Sequence, residues 1–219
     1  TLSFFFYSGI TTFLTGVSSV PANPVRLFLP FIIYLVLTII WELYKPNRNH
    51  ILNLSIAIFP VIYIAMPFGL LNGLGHIIGT DQSIWLLPLA FFIFIWTNDV
   101  GAYCVGCTIG RHRLFERISP KKSWEGSIGG FIFVAAVAVL IWHLTETYGF
   151  NDLQLTVYQW IGLGLVVAVF GTWGDLVESL FKRTIGIKDS GSILPGHGGM
   201  LDRFDSSLMA IPAAVVYLY

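Results

Sequence analysis

Residues 174–205 read GDLVESLFKRTIGIKDSGSILPGHGGMLDRFD, and the sequence on both sides of this stretch is oily. About a third of all charged residues in the chain fall here, together with Pro195 and a Gly-His-Gly-Gly turn. In a lipid-soluble chain, Asp175, Glu178, Lys182, Arg183, Lys188, Asp189, Asp202, Arg203 and Asp205 are costly to keep unless they bind ions or line a wet cavity. The stretch therefore reads as an active site set into a membrane protein.

Composition supports the membrane reading. Of 219 residues, 55% are apolar, 16% aromatic and only 11% charged, against roughly a quarter charged in an ordinary soluble domain. A span needs about 20 mostly apolar residues. Windows at roughly 1–16, 27–44, 51–71, 84–107, 127–146, 157–181 and 204–219 qualify or nearly do. The fold class expected is all-α: a polytopic transmembrane bundle of about seven spans with a polar cavity on the cytoplasmic side. Residues 1–90 are expected to form N-terminal membrane helices and 91–219 the catalytic membrane region, with no soluble domain. Pro30, Pro60, Pro67 and Pro88 lie in or near spans, where kinks are expected. The chain begins at Thr1 and stops at Tyr219 inside hydrophobic runs, so both ends are expected to be trimmed; no cleavable signal peptide is expected.

Formal net charge is zero, so the distribution of charge is what informs. Lys45 and Arg48 follow the second window. Arg111, Arg113, Arg117, Lys121 and Lys122 follow the fourth, and Lys182, Arg183, Lys188 and Arg203 the sixth. With seven spans these loops share one side and hold every basic residue except Arg26. The positive-inside rule makes that side cytoplasmic.

On the sixth window, Asp175, Glu178, Ser179 and Lys182 recur at spacings of three, four and seven and so share one helix face. A polar stripe on an apolar helix faces protein or water. The plainer alternative is a helix end whose Lys182 and Arg183 snorkel to headgroups. Beyond it, Gly191, Gly196, Gly198 and Gly199 would let backbone amides approach a phosphate, with Lys188 adding a cation; a simple turn is the competing reading. Asp202 and Asp205 stand three apart at the next helix start. With Asp175 they could form an oxygen cage for a hard cation such as magnesium, or else pair with Arg203, Lys182 or Arg183.

A second polar group lies on the same side: Asn98 and Asp99 inside the fourth window, then Ser119-Pro120-Lys121-Lys122-Ser123-Trp124-Glu125-Gly126. Ser119 as N-cap and Pro120 at the first position predict a helix start there. Two lysines beside a helix N-terminus would make an anion site, while a basic loop resting on anionic headgroups is the bland alternative. Cys104 and Cys107 lack a second pair to complete a zinc set and read as inert packing. His50, His76 and His143 lie near span ends and read as interfacial.

Ser179-Leu-Phe181-Lys182-Arg183, Lys188-Asp189, Pro195-Gly196-His197-Gly198-Gly199 and Asp202-Arg203-Phe204-Asp205, at these spacings, resemble the signature of the phosphatidate cytidylyltransferases. Asp99 with Ala102-Tyr103, and residues 119–126, resemble that family's second polar segment. The likeness covers roughly residues 98–205. It implies an integral membrane enzyme that transfers cytidylyl from CTP to phosphatidate, releasing pyrophosphate and requiring Mg2+. Asp175, Asp202 and Asp205 would hold the metal, with Lys182 joining them in catalysis. Ser179, Lys182, Arg183, Lys188 and His197 would contact phosphates, with Gly198, Arg203 and Asp99 in the substrate-binding set. Lys121 and Lys122 would lie near the nucleotide or lipid phosphate. The expected partners are CTP, phosphatidate and membrane lipid, with a homodimer as an option and no nucleic acid. The expected location is a bacterial inner membrane with the site facing the cytoplasm. Competing readings are a CTP-dependent lipid kinase, a related lipid cytidylyltransferase, or a cation-coupled transporter. The last is weakened by the absence of an internal repeat.

Overall fold

A computed structural model describes residues 25–46, 49–74, 86–148, 155–191 and 199–218. The chain forms two compact units that divide between Asn72 and Gly73, ahead of the boundary near residue 90 expected from sequence.

The first unit contains helix α1 (Val25–Leu43), α2 (His50–Pro60), a π turn (Val61–Ala65) and the start of α3 (Met66–Leu74). α2, the π turn and α3 run on as one apolar rod, with Pro60 at the junction. Proline has no N–H to give the ladder, and a wider turn beside it re-pairs the freed carbonyls. The kink expected near Pro60 corresponds in position to this π turn. α1 and α2 are clasped at their polar end around buried Glu42, which accepts from Asn53 Nδ2 at 2.6 Å and pairs with His50 at 3.1 Å and Lys45 at 3.2 Å. His50 is thus a partner of Glu42, a role its position near a span end did not reveal.

The second unit is built from α4 (Leu86–Ile109), a hairpin of β1 (Arg113–Phe115) and β2 (Ser119–Ser123), α5 (Trp124–Tyr148), α6 (Val157–Thr184), a 3-10 turn (Leu201–Arg203) and α7 (Asp205–Leu218). α5 packs on α4, α6 on α5 and α4, and α7 on α6. Phe91, Phe94, Val134, Ala138, Trp160, Val167, Leu208 and Ile211 fill the shared interior. α4 and α5 approach closely because Gly126 and Gly130 carry no side chain: a Cβ on Gly126 would stand 2.7 Å from the Ala102 carbonyl oxygen, and one on Gly130 2.5 Å from Asn98 Oδ1. α6 opens with a capping box between Thr156 and Gln159. It closes in a Schellman turn, with Gly186 at φ +74° and the Ile187 N–H reaching the Lys182 carbonyl at 3.0 Å.

Among the described residues, four helical segments are long and apolar enough to cross a membrane: His50–Leu71, α4, α5 and α6. They coincide with four of the expected windows. The windows at 27–44 and 204–219 fall on α1 and α7, whose apolar runs are shorter, and the window at 1–16 lies outside the described residues. The helix start expected at Ser119-Pro120 is not there. Residues 119–123 are a strand, and α5 begins at Trp124 with Ser123 as its cap, accepting from the Gly126 N–H at 3.2 Å. Ser-Pro suits an extended segment as well as a helix start, because proline's φ is common to both and its missing donor goes unused at a strand end. The Trp124 N–H instead closes the hairpin onto the His112 carbonyl at 2.9 Å.

Candidate active site

The functional side chains of the second unit gather where α4 ends, α5 begins, α6 ends and α7 begins. Successive residues of a strand point to opposite faces, so β2 turns Lys122 inward while leaving Lys121 exposed. Lys122 forms an ion pair with Asp175 of α6. Asp175 also accepts from Ser179 Oγ at 3.2 Å, one turn along the same face. Asp99, from α4, lies in the field of Lys122, Asp175 and Asp205. Asp205, heading α7, faces Asp175 and Glu178. It can sit so near because Gly174 is bare; a Cβ there would stand 2.7 Å from the Asp205 carbonyl oxygen.

A second set continues from Glu178, whose side chain is almost wholly buried. Lys182 donates to Glu178 Oε2 at 3.2 Å and to Asp202 Oδ1 at 2.7 Å. The other oxygen of Asp202, Oδ2, accepts from the Ser190 N–H and hydroxyl, both at 2.9 Å, and from the Gly199 N–H at 2.8 Å. One carboxylate thereby ties both ends of the segment between Ser190 and Gly199 to the end of α6. Burial pushes the Asp202 carboxyl up, but the Lys182 ammonium and the Ser190 and Gly199 donors outweigh it and hold the group well below the usual carboxylate range.

A cavity of about 200 Å³ opens beside these groups. Asn98, Asp99, Ala102 and Tyr103 of α4 form one wall, and Lys121, Lys122 and Ser123 of β2 another. Gly126 and Ser127 of α5 and Thr172 of α6 complete it. Asn98 Nδ2 donates to Thr172 Oγ1 at 3.3 Å, and Thr172 passes its own proton to the Ala168 carbonyl at 2.9 Å. Asn98 Oδ1 is buried without a hydrogen-bond partner.

The structure brings Asp99, Lys122, Asp175, Ser179 and Asp205 together, and Lys121 borders the same cavity. Asp202 is paired with Lys182. Among the described residues no group of three ligating side chains closes tightly enough to hold a metal ion, so Asp175, Asp202 and Asp205 do not form a ready-made cage. Arg183, Lys188 and Arg203 are exposed; His197 and Gly198 lie outside the described residues. Cys104 and Cys107 are free thiols on the exposed face of α4. Sequence reasoning missed Thr172 and Ser190. Thr172 carried a signal, standing three residues before Asp175 and hence on its face; Ser190 carried none, since its role depends on where the chain returns after the loop.

The chain matches the model of the cytidylyltransferase family over residues 1–219. A phosphatidate cytidylyltransferase of Staphylococcus aureus (strain COL) is 38% identical over 177 residues, covering 78% of this chain and 62% of the relative. One of Staphylococcus haemolyticus (strain JCSC1435) is 36% identical over 172 residues, again 78% of this chain and 62% of the relative. The chain therefore spans about three fifths of the length of these curated relatives. With the match extending from end to end and the polar clusters converging at one end of the helices, this chain belongs to the cytidylyltransferase family.

Proposed function

We propose that the protein transfers the cytidylyl group of CTP to phosphatidate, forming CDP-diacylglycerol and pyrophosphate at the cytoplasmic face of a bacterial inner membrane. The observation that carries this reading is the Lys122–Asp175 pair beside a polar cavity walled by membrane-length helices. A water-soluble triphosphate and a lipid that must keep its acyl chains in the bilayer can meet only at such a boundary. The names of the relatives, all phosphatidate cytidylyltransferases, point the same way.

In the reaction, a phosphate oxygen of phosphatidate attacks the α-phosphorus of CTP and the bond to the leaving pyrophosphate breaks. The nucleophile is already anionic near neutral pH, so no strong general base is needed. Catalysis then rests on positioning and on neutralising charge. Lys121 and Lys122 stand at the cavity wall, where they would hold two polyanions that otherwise repel. The Asp202 clasp would hold Ser190 and Gly199 at the end of α6, and His197 and Gly198 would contribute phosphate contacts.

The residues present fit a magnesium ion. Asp99, Asp175 and Asp205 lie in one another's fields, and Lys122 is the one cation that pairs within this group among the described residues. The excess negative charge suits a divalent cation, and Asp175 and Asp205 would hold it, with Asp99 nearby. Asp202 fits less well, since both its oxygens already take protein donors. Bound there, magnesium would neutralise the triphosphate and ease departure of pyrophosphate. The reading needs no nucleic acid and no second copy of the chain.

The test is purified protein in lipid with cytidine-labelled CTP, phosphatidate and magnesium. Label should enter the lipid fraction as pyrophosphate appears in equal amount. Release of CDP with a phosphorylated lipid would instead identify a kinase, and no reaction at all would remove the enzyme reading.

A further inference from the structure

We propose that the β1–β2 hairpin is a docking foot for the headgroups of anionic phospholipids, which it meets through its arginines rather than through the Lys121–Ser123 wall of the cavity. The hairpin joins the ends of α4 and α5, both long and apolar enough to span a bilayer, so it lies at the membrane surface. Alternation along β1 leaves Arg113 and Phe115 exposed on one face and Leu114 partly covered on the other. Arg111 and Arg117 are exposed as well. Ile109 and Trp124, at the two helix ends that carry the hairpin, expose most of their apolar surface. Guanidinium groups mixed with an aromatic and an aliphatic side chain, at the level where hydrocarbon gives way to water, match a layer of phosphates above acyl chains.

Among the described residues, Arg111, Arg113 and Arg117 form no salt bridge. Glu125, the nearest acid in the hairpin base, is taken by His112 Nδ1 at 2.5 Å and by the backbone N–H groups of Arg111 and His112, each at 3.2 Å. Asp175 is taken by Lys122. Within residues 111–123 the sequence offers one acid, Glu116, exposed at the turn, against the three arginines. Lipid phosphates are the anions that a surface-bound hairpin meets at highest concentration, and each basic residue near such a surface strengthens the attraction roughly fivefold.

The test uses the full-length protein and reads lipid binding rather than turnover, so its failure would leave the proposed reaction untouched. Arg111, Arg113 and Arg117 are changed together to Gln; Lys121, which borders the cavity, is kept. A nitroxide is attached at Glu116→Cys in a Cys104→Ala/Cys107→Ala background. In vesicles containing phosphatidylglycerol the label should be shielded from a water-soluble relaxant, compared with phosphatidylcholine vesicles, and the triple variant should abolish that difference. Native mass spectrometry from mixed micelles should show fewer retained phosphatidylglycerol molecules on the triple variant, with phosphatidylcholine unchanged. Equal shielding in both vesicle types, or equal phosphatidylglycerol retention by the two proteins, would overturn the proposal.

Discussion

Lys182 Nζ donates to Asp202 Oδ1 at 2.7 Å across the turn between α6 and α7, while its other contact, Glu178, is almost completely buried. One ammonium thus serves two carboxylates: Glu178, which has no other counter-charge among the described residues, and Asp202, which anchors Ser190 and Gly199. Lys182→Met should therefore harm the fold as well as the reaction. Removing one partner of a buried pair strands the other and costs about 3 kcal/mol or more. Glu178→Gln keeps an acceptor for Lys182 and should cost far less. Thermal unfolding in detergent should place Lys182→Met well below the parent, and Glu178→Gln between the two.

Asp202→Asn should lower turnover on the order of a hundredfold, a loss typical of a misplaced binding loop, while the protein still inserts and folds. The amide keeps the shape of the carboxylate but can serve either Lys182 or the three donors from Ser190 and Gly199, not both. The amide hydrogens of Ser190 and Gly199 should then exchange faster than in the parent. Normal turnover with unchanged exchange at both amides would refute the clasp.

The same carboxylate sets a pH dependence. Its folded value lies below the unfolded value of about 3.9, so its contribution to stability is complete above the unfolded value and is lost as pH falls through the folded one. Between pH 5 and 8 the clasp should not weaken. Exchange of the Ser190 and Gly199 amide hydrogens, corrected for intrinsic rates, should show constant protection over that range and loss of protection only in strong acid.

Asp175→Asn should raise the magnesium concentration needed for half-maximal turnover and lower the maximum reached. It removes a charge from the group formed with Asp99 and Asp205, and it also frees Lys122. A variant with unchanged magnesium dependence would show that the ion is held elsewhere.

Much of this site was legible where the contacts are local. Asp175 with Ser179, and Glu178 with Lys182, are pairs four apart on one helix, and helical spacing alone put them on a single face. The four long apolar segments were legible for a similar reason, since length and composition decide them. The Lys122–Asp175 pair was not, because nothing in either neighbourhood encodes a meeting between β2 and α6. Ser119-Pro120 misled because two backbone states share proline's φ, and only the pairing of β2 with β1 decides between them. The spacing of Asp202 and Asp205 leaves open a metal site or a pair with Lys182; the Lys182 pair is present, and the returning chain at Ser190 and Gly199 supplies donors that spacing does not reveal.

The packing of α7 on α6 offers a last test with a built-in control. A Cβ on Gly174 would stand 2.7 Å from the Asp205 carbonyl oxygen and 3.1 Å from that of Ser206, both backbone atoms that cannot swing aside, whereas one on Gly171 would meet nothing closer than 3.7 Å. Gly174→Ala must push the start of α7 away, at a cost of about 1–3 kcal/mol for an overpacked contact, and must carry Asp205 away from Asp175. Gly171→Ala adds a methyl group in ordinary van der Waals contact and gains helix propensity, so it should be neutral or slightly stabilising. Unfolding temperature and turnover should therefore both fall for Gly174→Ala and both hold for Gly171→Ala. If the two variants behave alike, the approach of Asp205 to Asp175 does not depend on the bare backbone at Gly174.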